Sequence, residues 1–456
     1  MLSRREPTVV IGGLLLAGPL GDSCAALAGC DASIRARVTT AARAALKSSR
    51  ISAPLPKGAA QRPFPLIAHG LARSGVVIPD GALSSSTNRI DDIQTQLEGR
   101  LTKLSRRRWI LILTLVLVGL LWRPVLRPVG QSAIVLADIY SEQLVGTNVA
   151  RLVTPEPRVV ETDDRFAGVA MRVTYWSPGW GDQHPAILVV PGAAPRGNDE
   201  PLLRSFGVTL ARAGYLVMIP EFPFLKAGRF EASATKQIDA AFARARDLPA
   251  TMDRNVGAFG VSVGGGMLLV AAGREPAVGR ASFIAILGAY FDIDTYIASV
   301  VGREQLSDGR LEPWGPSAEV LERLPPAAID LAPPGDRDAV RRVLASTSYQ
   351  EALDRLRALG PGARSAYDSV SPKIVWHDIR PPIYWIHDPL DTFEPLAEAE
   401  AARAAARDGH MVLAVPRLIT HAAPAGEAAK SGGPLFLTAE LWRLLTFTVE
   451  VLQQAG

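Results

Sequence analysis

Val256-Gly257-Ala258-Phe259-Gly260-Val261-Ser262-Val263-Gly264-Gly265-Gly266 is the stretch on which the reading of this 456-residue chain turns. Its first six residues form a short apolar run of buried-strand type, and a helix is predicted to follow over 264–273. A serine at such a strand-to-helix turn occupies strained backbone, and the glycines around it let neighbouring strand and helix approach without a Cβ clash. The helix N-terminus adds free N–H groups and a positive dipole end where an oxyanion would form. Ser262 is therefore the candidate nucleophile.

Outward from this stretch the same alternation repeats. Strands are expected at 157–163, 167–176, 186–190 (AILVV), 215–219 (YLVMI), 256–261, 282–288, 383–387 (IYWIH) and 411–415 (MVLAV). Helical patterns lie between them at 199–213, 231–247, 264–273 and 396–408, and a last helix is expected near 436–453. Near-continuous apolar strands separated by amphipathic helices imply a mostly parallel sheet covered on both faces. The first two strands are less apolar and suit an antiparallel edge. Residues 297–375 break the rhythm with many prolines and one helical pattern, 336–359, and read as an inserted lid. Pocket lining is expected largely from this insertion, where Trp314, Tyr349 and Leu353 are read equally as lining or as packing residues.

The formal net charge is +4, yet residues 1–128 hold 18 Lys and Arg against 7 Asp and Glu, so residues 129–456 carry −7. A mildly acidic body has no electrostatic reason to bind phosphate backbones, which excludes nucleic acid as a partner. Cys24 and Cys30 are the two cysteines, so the body has neither a disulfide framework nor Cys/His metal spacing. Neither a cofactor nor a metal is expected.

Residues 1–104 contain one aromatic, Phe64, and read as a disordered, low-complexity extension. Within it, 8–20 resembles a short secretion signal and Leu27-Ala28-Gly29-Cys30 a lipoprotein box; we read both as fortuitous. Residues 109–122 (WILILTLVLVGLLW) are the most apolar run, flanked by Arg106-Arg107-Arg108 and bracketed by Trp109 and Trp122. Fourteen helical residues reach only ~21 Å of a ~30 Å hydrocarbon core. Continuation to Leu126 with Arg123 snorkelling brings the length close. The expectation is a single anchor in residues 105–128, a membrane partner through 109–126, a connector over 129–155 and a catalytic body on the outer side. A soluble form is the alternative, and oligomeric state is left open.

A serine hydroxyl needs a base, and the base needs a group to hold its tautomer. His421 follows the last strand in the loop RLITHAAP and is the favoured base. His387, which ends IYWIH, competes; His69, His184, His377 and His410 fit worse. Three carboxylates follow IYWIH: Asp388, placed for a turn before Pro389; Asp391, mid-loop; and Glu394, placed for helix entry before Pro395. Asp391 is favoured. For the oxyanion hole, the N–H groups of Val263 and of Ala193 in the loop after AILVV are the candidates, with Ala194 as an alternative.

Taken together, residues 156–453 resemble the α/β-hydrolase superfamily, and are most similar to its bacterial dienelactone-hydrolase and acetyl-esterase-like branches. The matching pieces are PAILVVPGAAPRGND, LARAGYLVMIPEFP, GAFGVSVGGG, PPIYWIHDPLDTFEP, LAVPRLITHAAP and Ser371-Pro372 at the lid's exit. Three positions depart from the pattern. Pro191-Gly192 replaces His-Gly in the oxyanion loop, Glu221 stands where Asp is commoner, and the nucleophile is Ser rather than the Cys of dienelactone hydrolases proper. The resemblance implies an α/β-hydrolase fold and hydrolysis of a small-molecule carboxylic ester through an acyl-enzyme. Acyl transfer or peptidase action on the same triad, and a membrane-tethered binding module without activity, are the rival readings.

Overall fold

The computed structural model describes residues 110, 111, 114, 116–421 and 432–455. The signal-like and lipoprotein-like stretches, Phe64 and Trp109 lie outside the described residues. All described residues belong to one compact unit spanning 93–456.

Among the described residues there are ten strands: β1 (Arg158–Phe166), β2 (Val169–Ser177), β3 (His184–Val190), β4 (Leu216–Pro220), β5 (Thr251–Val261), β6 (Ile284–Leu287), β7 (Glu304–Ser307), β8 (Arg310–Pro313), β9 (Ile383–Ile386) and β10 (Met411–Ala414). Eight make one sheet in the order β1-β2-β4-β3-β5-β6-β9-β10, and β7 and β8 form a separate hairpin. β2 runs antiparallel to β1 and β4; every other pairing in the large sheet is parallel. All eight strands read from the sequence are therefore present, with the antiparallel edge where the weaker apolar patterns lie.

The longer helices are α1 (Arg127–Val145), α2 (Pro201–Arg212), α3 (Ala234–Asp247), α4 (Ser262–Arg274), α5 (Ile293–Gly302), α6 (Ala318–Leu331), α7 (Arg337–Leu344), α8 (Tyr349–Arg357), α9 (Pro361–Val370), α10 (Leu396–Ala405) and α11 (Gly433–Gln454). Successive strand residues point to opposite faces, so one strand feeds two cores. Leu188 and Val190 of β3 pack with α3 and α4 on one face. Ile187 and Val189 pack with α1, α2 and α11 on the other. That double burial is why AILVV carries no polar position.

One sequence expectation about the inserted region is corrected. The single helix over 336–359 is two, α7 and α8. Ser348 accepts from Glu351 N–H (3.2 Å), and the Glu351 carboxylate accepts from Thr347 N–H (2.8 Å), a reciprocal cap that starts a new helix where the apolar stripe runs on unbroken. Of the two readings left open for Trp314, Tyr349 and Leu353, packing holds: all three are buried in the main core, and the wall that the inserted region gives the cavity comes from α6.

The stretch expected as a connector, 129–155, holds α1, which packs on α11 and α2. Gln131 donates to the Ala213 carbonyl (2.9 Å) and accepts from the Tyr215 hydroxyl (3.1 Å). Arg212, fully buried, pairs with Glu156 and donates to Thr154 (3.0 Å). Tyr140 donates to the Leu418 carbonyl (2.7 Å), three residues before His421. N-terminal to α1, residues 116–121 are helical and 122–126 form a π turn, as Pro124 has no N–H to give. From Val116 to Trp122 the large apolar side chains are between 39% and 69% exposed. Among the described residues no helix is long and apolar enough to cross a membrane.

Tyr140→Phe leaves a buried carbonyl without its donor, so it should lower unfolding stability by about 1–3 kcal/mol. Chemical denaturation checks this; an unchanged midpoint would mean that α1 does not brace the 415–421 loop.

Candidate active site

Ser262 opens α4 directly behind β5 with φ +53°, a left-handed conformation that costs a non-glycine residue of order 1–3 kcal/mol. The fold holds it there from three sides. Ser262 N–H donates to the Gly288 carbonyl at the end of β6 (2.6 Å). A Cβ on Gly264 would meet the Pro191 carbonyl at 1.8 Å, and one on Gly260 would meet Gly265 Cα at 2.6 Å. The glycines of the motif therefore mark where α4 presses on β5 and on the loop after β3.

At the neighbouring strand ends, His421 Nδ1–H donates to Asp391 Oδ2 (2.7 Å). The other Asp391 oxygen accepts the N–H groups of Phe393 (2.7 Å) and Glu394 (3.1 Å). These bonds hold the Asp391 carboxyl below its ordinary range although burial, the largest influence, pushes the other way. The Phe393 ring stacks on the imidazole at 4.6 Å, fixing its plane. The inserted region braces the acid loop from outside: Trp314 Nε1–H donates to the Asp391 carbonyl (2.7 Å) and Ser317 N–H to that of Thr392 (2.7 Å).

Glu394 is the residue that sequence reasoning misplaced. Pro395 takes the helix-entry position before α10, and the Glu394 side chain turns inward. Ser262 Oγ donates to Glu394 Oε1 (2.7 Å). A hydroxyl has one proton, so in this arrangement it is not offered to His421. Glu394 Oε2 lies 3.2 Å from His421 Nδ1, but that nitrogen's proton is spent on Asp391, and Oε2 is left buried with no hydrogen bond. Burial raises the Glu394 carboxyl to about 7, with the His421 charge opposing. Burial alone would lower His421; Glu394 first, then Asp391, outweigh it and raise the imidazole to about 9. The shared loop carried a signal: in a turn organised by the Asp391 carboxylate, the residue three on can face the same site.

Of the other candidates, His387 is fully buried with both nitrogens committed, Nε2–H to the Glu394 carbonyl (3.0 Å) and Nδ1 to Trp385 Nε1–H (3.4 Å). It holds the Glu394 backbone. Asp388 accepts from Leu390 N–H (2.9 Å), as a turn residue should. Gly288 was overlooked: with φ +46°, it sits where a Cβ would strike His421 Nδ1 at 2.6 Å and Asp391 Oδ2 at 2.9 Å. A glycine directly behind AIL was its only trace in the sequence.

Val263, Ala193 and Ala194 line one cavity with Ser262, and Val263 N–H belongs to the first helical turn, which has no intrahelical acceptor. Gly192 packs on Ser262 Cβ, a Cβ there lying at 3.0 Å. Glu221 anchors this loop, accepting from Asn198 N–H (3.1 Å) and pairing with Arg172 (2.8 Å) and Lys226 (2.8 Å). Among the described residues, Asp391, Glu394 and His421 are the grouping with metal-ligand atoms within 4.8 Å of one another. Because His421 Nδ1 and Asp391 Oδ2 already share a hydrogen bond, the set suits proton transfer.

No family model matches the chain, and no curated protein matches it in sequence. Among solved structures it is similar to the acylaminoacyl peptidase of Pyrococcus horikoshii, at 13% identity and TM-score 0.40, over 65% of this chain and 40% of that one. A second is brefeldin A esterase, described as a bacterial homologue of human hormone sensitive lipase, at 17% identity and TM-score 0.41, over 71% and 85%. A third is a putative dienelactone hydrolase from Klebsiella pneumoniae, at 14% identity and TM-score 0.36, over 65% and 100%. The chain thus spans 40% of the peptidase's length. The fold assignment rests on its own topology: a mostly parallel sheet in the order β1-β2-β4-β3-β5-β6-β9-β10, an elbow serine behind β5, and an acid and a histidine behind β9 and β10. By that arrangement the chain has an α/β-hydrolase fold.

Proposed function

We propose that the protein is a serine hydrolase of carboxylic esters, with Ser262 as nucleophile, His421 as base and Asp391 as the group that holds the base. The observation that carries this is the strained serine at the floor of a cavity that also reaches His421 and Glu394, with the His421–Asp391 pair beside it. As substrate enters, the Ser262 hydroxyl turns from Glu394 to His421. Oγ bonds to the ester carbonyl carbon as its proton passes to His421 Nε2, and the oxyanion meets the N–H groups of Val263 and Ala193. The leaving alcohol takes that proton, and water, deprotonated by His421, repeats the attack to release the acid. A mostly apolar cavity supports an ester over a peptide, whose N–H and C=O groups would lose hydrogen bonds on entry.

The exposed apolar residues Val116 to Trp122 support attachment to a membrane through 109–126. Leu117→Lys with Leu121→Lys should move the full-length chain from the membrane to the soluble fraction; unchanged partition would refute this attachment.

Ser262→Ala should abolish fluorophosphonate labelling and lower ester hydrolysis by at least ~10³-fold. Retained labelling or turnover would overturn the assignment. For Glu394, the sign follows from its charge. It is the strongest influence raising His421, which must be neutral to accept a proton, so Glu394→Gln should move the acidic limb of kcat/KM to lower pH. A pH–rate profile reads this. An unmoved limb would contradict it, and complete loss of activity would make Glu394 the base itself.

A further inference from the structure

The cavity above Ser262 does not end at the reacting atoms. It has a volume of about 560 Å³ and continues along the sheet, beneath α1, α2 and α11. Leu287, Ala285 and Phe283, alternate residues at β6, all line it, as do Val261 and Phe259 of β5. Alternate residues share one face of a sheet, so these five lie along one wall running from the elbow down the strands. Four residues of strand span ~13 Å, which is the depth of that wall from Leu287 to Phe283. Phe447 and Leu452 of α11 close the opposite side. Apart from Glu394 and His421 at the reacting end, the charged side chains on the lining are Glu200, Glu319 and Arg323, which are partly or fully exposed.

Packed interiors leave few voids, and an apolar space of this size next to a reactive serine is a ligand site. Its length and largely apolar walls suit a linear aliphatic chain. A polypeptide, a sugar or a charged acid would lose its hydration there without replacement partners. We infer that this site takes medium- to long-chain fatty acyl esters, the acyl chain lying along β5 and β6 and the alcohol part staying at the mouth near Glu200, Glu319 and Arg323. A C–C bond of about 1.5 Å advances a zigzag chain by somewhat less, so ~13 Å holds on the order of ten carbons. The inference rests on the serine-hydrolase reading and adds the substrate class.

The test measures kcat/KM of the full chain on p-nitrophenyl esters from acetate to palmitate, below their aggregation limits. At ~0.8 kcal/mol per buried methylene, kcat/KM should rise about fourfold per added CH₂ and level off near ten carbons. Ala285→Phe, which fills the channel midway, should lower the decanoate-to-acetate ratio at least tenfold. Should that variant not fold, labelling rates of the wild type with ethyl and decyl fluorophosphonates give the same comparison. A flat or falling series with acetate still turned over would overturn the chain proposal and leave the hydrolase standing. No turnover and no labelling at any chain length would overturn both.

Discussion

Everything at the site depends on keeping Ser262 in left-handed backbone, and that strain is held by contacts that come from elsewhere in the sheet. The Gly288 carbonyl at the end of β6 takes the Ser262 N–H, and the Pro191 carbonyl presses on Gly264 so closely that no side chain fits between. The order of β3, β5 and β6 in the sheet is what brings these groups to one point. A change in that order would release the serine into an ordinary helical start and remove its exposure to the cavity. The continuous apolar character of the strands serves the same end, because burial on both faces keeps β5 central.

Around this fixed point the charges compete. Three ionisable groups, the buried Asp391 and Glu394 and the half-buried His421, bring side-chain atoms within 4.8 Å of one another. Asp391 is fully satisfied by its backbone and imidazole partners and keeps its charge. Glu394 has one oxygen on Ser262 and the other on nothing, and its carboxyl is accordingly driven towards neutrality. Two carboxylates in one loop, three residues apart, thus take different protonation behaviour from their surroundings, and the resting serine is held by the less acidic one.

The sheet was legible because its signal is local: each strand is an apolar run bounded by turn residues, and Ser262 carries its own flanking glycines. The meeting of Asp391 and His421 could be anticipated because each follows a strand, the acid before the histidine. What stayed hidden depends on direction and distance. Glu394 precedes a proline, which favours a helix-entry reading, and its spacing of three residues from Asp391 is the one trace in the sequence that its side chain turns inward. Gly288 matters through contacts with residues more than a hundred positions away. Helix α1 looked like a tether because it follows an apolar run, yet Gln131 and Tyr140 tie it to the body and make it one wall of the cavity. The single helix read over 336–359 failed because a Ser-x-x-Glu cap interrupts a stripe whose apolar spacing continues across the break.

The central claim is covalent chemistry at one atom, and mass spectrometry tests it most directly. Treatment of the full chain with a fluorophosphonate followed by peptide mapping should place one phosphonyl adduct, and only one, on the peptide carrying Ser262. An adduct on another residue, or none at all on folded protein, would contradict the account.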